Sequence, residues 1–158
     1  MTEPHIVDFW KRCCLVLGEP GDQPLPPVEA FGDSPELADK LLDLVINGPK
    51  RATASGAIEH ELEGEPIPVP GDRWIVLDGA GTPRVVLETT DVRVGPLSSV
   101  DAQFAWDEGE GDRSREYWLD AHTRFFQRYL PTIGQEFHPD LPTVFERFVI
   151  VYSEADRH

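Results

Sequence analysis

The sequence predicts an α+β domain: a small, mostly antiparallel β-barrel or sheet with flanking helices, two at the N-terminal end and one before the last strand. Two observations carry this. Apolar residues recur every three or four positions in three separate segments, the signature of helices that bury one face. From Gly48 onward the pattern changes to short β-prone runs divided by Pro-, Gly- and Asp-containing turns. A length of 158 residues fits one domain that closes its own core.

The first helix is expected over Pro4 to Leu17, where Ile6, Phe9, Trp10, Cys13 and Leu17 form a stripe ended by Gly18. Residues Glu19 to Asp33, rich in Pro, Gly and acidic side chains, read as an irregular connector tacked down by Val28 and Phe31. Residues 1–33 are therefore taken as an N-terminal extension packed on a domain spanning 34–152, with 153–158 as a disordered tail. Ser34-Pro35 supplies a capping hydroxyl and a proline at the first helical position, so the second helix starts there. It runs to about Asn47, with Gly48 as the left-handed stop. Strands are expected at Arg51 to Ala57, Arg73 to Leu77, Arg84 to Val94 and Arg147 to Tyr152. The third helix, about Arg113 to Tyr129, presents Trp118, His122, Phe125 and Tyr129 on the face that packs on the sheet.

Acidic residues outnumber basic ones by 29 to 14, for a formal net charge of -15. Long nucleic acids are held by neutralising phosphates with Lys and Arg, so long double-stranded nucleic acid is an unfavourable partner. A nucleoside or one short RNA strand in a locally basic pocket stays compatible with the composition. Neither a signal-peptide pattern nor a run of the roughly 20 apolar residues that a membrane span needs occurs in the sequence, and the chain is expected to be soluble and cytoplasmic. The adjacent pair Cys13 and Cys14 reads as reduced thiols inside a helix.

Two segments carry the residue types that chemistry needs. In Gly48-Pro49-Lys50-Arg51-Ala52-Thr53, two cations and a hydroxyl meet where a helix hands over to a strand. The structural reading of the same residues is a helix end whose dipole favours positive charge, followed by an ordinary strand threonine. In Trp106-Asp107-Glu108-Gly109-Glu110-Gly111-Asp112-Arg113, four carboxylates alternate with glycines ahead of the third helix. The structural reading there is a solvated loop in which Asp112 caps the helix. A calcium loop is disfavoured because the glycines fall where an EF-hand places ligands, and no histidine pair has zinc-ligand spacing. No metal and no cofactor are expected. His122 reads as a hydrogen-bonded core histidine.

These motifs together resemble the ASCH domain, of the PUA-like superfamily, in its longer bacterial form. The resemblance rests on the G-x-K-x-x-T run at Gly48, Lys50 and Thr53 and on the Pro70-Gly71-Asp72 turn opening a strand. It also rests on Glu108 to Ser114 leading into an aromatic helix, and on the final strand Phe145 to Val151. It implies a nucleobase, nucleoside or RNA ligand. One branch of the family consists of small bacterial amidohydrolases that deacetylate acetylated cytidine, and by residue match it implies catalysis by Lys50, Thr53 and Glu108, with Glu110 an alternative to Glu108. In that reading Thr53 is the nucleophile and Lys50 its base, tuned by Arg51. Glu108 is the proton donor, with a carboxyl raised by desolvation beside Trp106. The sequence departs from those enzymes at Ser55, where they carry arginine. A binding-only alternative uses Gly48, Lys50, Arg51 and Arg113 to hold a phosphate or carbonyl, Trp106 to stack a base, and Glu108 or Glu110 to read amino groups. A ribonuclease, an activity claimed elsewhere in the family, is the third reading.

Overall fold

The computed structural model describes residues 3–154. Five strands, β1 (Val28–Ala30), β2 (Ala52–Gly56), β3 (Arg73–Leu77), β4 (Pro83–Pro96) and β5 (Pro142–Ser153), form one mixed sheet in the order β1-β3-β4-β5-β2. Only β1 and β3 run parallel; the other neighbours are antiparallel. Register shifts within β4 and its partners bend the long central strands, which curls the sheet into a half-barrel with β1 and β2 as its edges.

Five α-helices flank the sheet among the described residues: α1 (Pro4–Leu17), α2 (Pro35–Ile46), α3 (Ala57–Glu63), α4 (Ala102–Glu108) and α5 (Arg115–Tyr129). The stripe of α1 packs Phe9 and Trp10 on Ile75 and Val86. The stripe of α2 packs Leu41, Leu42 and Val45 on Val76, Val85 and Leu87. Residues 75 and 76 alternate along β3, so the two N-terminal helices cover opposite faces of the sheet. A third core, around Phe104, Trp118, Phe126 and Phe145, joins α4 and α5 to β2 and β5.

Several expectations change here. Gly18 ends α1 in the left-handed conformation and Ser34 caps α2 through the Leu37 N–H, as expected. Gly48 is not left-handed; its place follows from close approach, since a Cβ there would lie 2.9 Å from the Leu44 carbonyl oxygen. Val28–Ala30, read as connector, is an edge strand. Ala57 does not end a strand but starts α3, whose Glu59 accepts a 2.6 Å bond from the Gly56 N–H. The segment 102–108 is not a loop but α4, capped by Asp101 and stopped by left-handed Gly109. Asp112 does not cap α5; Ser114 does, and Asp112 instead accepts from the Ser114 N–H. Ser153 completes β5 and Glu154 binds Arg12 at 2.8 Å, so the tail does not begin at 153; residues 155–158 lie outside the described residues.

Candidate functional site

Two polar assemblies adjoin β2, with the Phe31 ring in contact with both. The first is a buried charge cluster where β2 meets the end of α4. Pro49 and the α2 exit keep Lys50 out of the strand, and its side chain is only 1% exposed. The Nζ donates to the Ala52 carbonyl at 2.8 Å and to Glu110 Oε2 at 3.0 Å, and lies 3.7 Å from Glu108 Oε1. Glu108 also accepts the Trp118 indole N–H and sits 3.5 Å from His122 Nε2. His122 in turn stacks on Trp118 and uses Nδ1 against the Trp118 carbonyl at 2.8 Å.

Electrostatics within this cluster divide its carboxyls. Burial alone would raise the Glu108 carboxyl, but the Lys50 ammonium and the His122 ring outweigh it and bring the group down to about 2. Glu110 moves the other way, raised by burial and by the neighbouring Glu108 charge, with Lys50 only partly opposing. Burial would lower His122, yet its bond to Glu108 leaves it raised. The expectation of a raised Glu108 beside Trp106 is therefore corrected. The partner is Trp118, the shift is downward, and Glu110 is the carboxyl pushed up.

Arg51 is held by backbone carbonyls. Its guanidinium donates at 2.9 Å to the Val45 carbonyl, an acceptor left open in the last turn of α2, and at 2.6 Å to the Lys50 carbonyl. Trp106, 52% exposed, carries the Arg113 guanidinium 3.6 Å above its ring, so the proposed stacking platform already holds a cation. Arg113 Nε also donates to the Trp106 carbonyl at 2.9 Å.

The second assembly is a cavity of about 750 Å³ in the mouth of the half-barrel, between the edge strands β1 and β2 and roofed by α3. Alternation along β2 sends Ala52 into the core and Thr53 and Ser55 into this cavity. Thr53 is register-paired with Glu146, which also lines the cavity, and Thr89 Oγ1 donates to Glu146 Oε2 at 2.6 Å. Six carboxyl residues line the space (Glu29, Glu59, Glu63, Glu65, Asp72, Glu146) against Arg73 and His60. Burial pushes Glu29, Glu59 and Glu146 up. Phe31 and Trp74 supply an aromatic wall, in edge contact at 5.2 Å. Two polar atoms of the lining, Trp74 Nε1 and His60 Nδ1, are buried with no hydrogen-bond partner.

Of the three residues to which the resemblance assigns catalysis, Thr53 alone lines the cavity. Lys50, Glu108 and Glu110 come together beside the Phe31 ring, which also lines the cavity and whose centroid is 5.6 Å from Lys50 Nζ; the Nζ holds the Ala52 carbonyl, in the peptide bond that leads to Thr53. Gly48 lies in neither assembly's polar network. Sequence reasoning missed His60, Glu146 and Trp74, and read His122 as the hydrogen-bonded core histidine it is. Strand alternation could have pointed to Glu146, the neighbour of core residue Phe145; the others depend on packing between distant segments.

Comparisons with known proteins agree with this fold. A family model described as the ASCH domain matches residues 28–152. A crystal structure from Enterococcus faecalis V583, of a protein in the DUF984 family model, is 33% identical with a TM-score of 0.83, over 92% of this chain and 87% of that one. An ASCH domain structure from Lactobacillus crispatus JV V101 is 29% identical with a TM-score of 0.81, over 93% of this chain and 94% of that one. No curated protein matches the chain. A match over residues 28–152, together with the half-barrel and its flanking helices, establishes that the chain belongs to the ASCH domain family.

Proposed function

We propose that this ASCH domain binds a nucleoside-sized, amino-bearing ligand in the half-barrel cavity and hydrolyses an acyl amide carried on it. The lining of the cavity carries this reading. Its volume, about 750 Å³, falls within the range of small-ligand pockets, and an aromatic wall beside convergent polar groups is their usual construction. Carboxyl groups accept from the exocyclic amine and ring N–H of a base, whereas six of them repel phosphate. The reading therefore favours nucleosides over nucleotides and over RNA. Glu146, register-paired with Thr53 and raised by burial, is the carboxyl nearest in the sheet to that hydroxyl.

The resemblance gives the nucleophile to Thr53, the base to Lys50 and the proton donor to Glu108. In that scheme Lys50 Nζ starts from the Ala52 carbonyl, in the peptide bond leading to Thr53, with Glu110 as its second partner.

Calorimetry with cytidine and cytidine monophosphate, and acetate release from acetylated cytidine, test the proposal. Binding of cytidine in preference to its monophosphate, with acetate released at a rate proportional to enzyme, is expected. Folded protein that binds neither and releases no acetate would end it. Cytidine binding without any turnover would leave a binding module, the alternative that shares this cavity.

A further inference from the structure

Ser55 and His60 lie at the junction of β2 and α3, in the wall of the cavity and outside the Lys50–Glu108 cluster. Ser55 Oγ and His60 Nε2 are 2.8 Å apart, the separation of a nucleophile from its general base. Thr53, two residues earlier on the same face, has no such partner: no side-chain hydrogen bond joins it to a base among the described residues. The far nitrogen of the ring, Nδ1, is buried and unpaired. A buried, unsatisfied polar atom destabilises the fold by about 1–3 kcal/mol.

From this geometry we propose that Ser55 is the acyl-accepting nucleophile of the cavity and His60 its general base, acting on an amide or ester of an amino-bearing, nucleoside-sized molecule. The proposal rests on the cavity being the substrate site. Ser55 Oγ bonds to the acyl carbon while its proton passes to His60 Nε2. The C–N or C–O bond then breaks and the leaving group takes that proton. Water, deprotonated by the same nitrogen, hydrolyses the acyl-serine ester and restores the hydroxyl.

A neutral alkyl fluorophosphonate, which forms a P–O bond to an activated serine with loss of fluoride, tests the pair without needing the natural substrate. The adduct is mapped by mass spectrometry on the full chain, with circular dichroism as the check of folding. Labelling at Ser55 is expected, lost in Ser55→Ala and reduced roughly 100-fold or more in His60→Gln. Labelling at Thr53, an absence of labelling, or a rate unchanged in His60→Gln would overturn the assignment. Cytidine calorimetry on Ser55→Ala separates the two proposals: retained affinity with lost labelling supports both. Retained affinity in a wild-type protein that never labels removes the serine–histidine pair and leaves the cavity reading standing. Labelling without cytidine affinity keeps the serine–histidine pair in the cavity and removes the nucleoside as its ligand.

Discussion

Lys50 shows how a buried charge is kept in place: one ammonium faces two carboxylates and a backbone carbonyl, with Trp118 and His122 completing the shell. Removing one member leaves the others buried without compensation, which costs about 3–5 kcal/mol, more than the pair itself contributes. Lys50→Met should therefore lower unfolding free energy in urea by about that amount, and Lys50→Met combined with Glu108→Gln by less than the sum of the two single changes. The pH dependence follows from the directions of shift. Glu108 is depressed, so its contribution is complete above the ordinary carboxyl range and is lost as pH falls toward about 2. His122 is raised, so its contribution is complete below its ordinary value of 6.5 and is lost as pH rises through the raised one. Urea unfolding at pH 6 and pH 8 should show a smaller pH difference for His122→Gln than for wild type.

At the scale of elements, α4 and its stop decide where Glu108 and Glu110 stand. Gly109 has φ +74°, and a Cβ there would meet the Lys50 backbone nitrogen at 3.0 Å and Cα at 3.1 Å. Both the left-handed conformation and the contact oppose a side chain. Gly109→Ala should destabilise by about 1–3 kcal/mol and pull Lys50 from its partners, read as a lowered urea midpoint and a changed Trp118 fluorescence. Ser114→Ala, which removes only the α5 cap, should cost about 1 kcal/mol and leave that fluorescence unchanged. The long helices were legible because stripes and caps are local signals: α1 and α2 begin and end within a residue of expectation. The short ones were not. In α3 none of seven residues is fully buried, and α4 ends in the glycine-rich acidic run that resembles a loop.

Across the whole molecule, a net charge of -15 opposes compaction through self-repulsion. Raising salt from 10 to 100 mM shortens the Debye length from about 30 to about 10 Å, so the thermal midpoint should rise over that range. Fluorescence anisotropy with a single-stranded RNA should show no retention at 100 mM salt, as the acid-lined cavity and the occupied cations require. The family match begins at residue 28, yet α1 covers Ile75 and Val86 with a fully buried Phe9. Phe9→Ala should cost about 3–5 kcal/mol, measured by urea unfolding, although it lies outside the matched region. Among the described residues no helix is long and apolar enough to cross a membrane.

By itself the sequence determined the α+β class, the stripes of α1, α2 and α5, most strand positions, and the two segments in which charged and hydroxyl groups gather. Those depend on periodicity and capping, which act over one or two turns of chain. Only the tertiary structure decided that Lys50 turns toward Glu108 and Glu110, that Glu108 carries a depressed carboxyl, and that Thr53 shares its cavity with Ser55, His60 and Glu146. Each of these depends on antiparallel pairing of β2 with β5 and on packing of α4 against β2, contacts between segments far apart in the chain. Burial and charge–charge distance, which set a carboxyl's state, exist only once those segments have met.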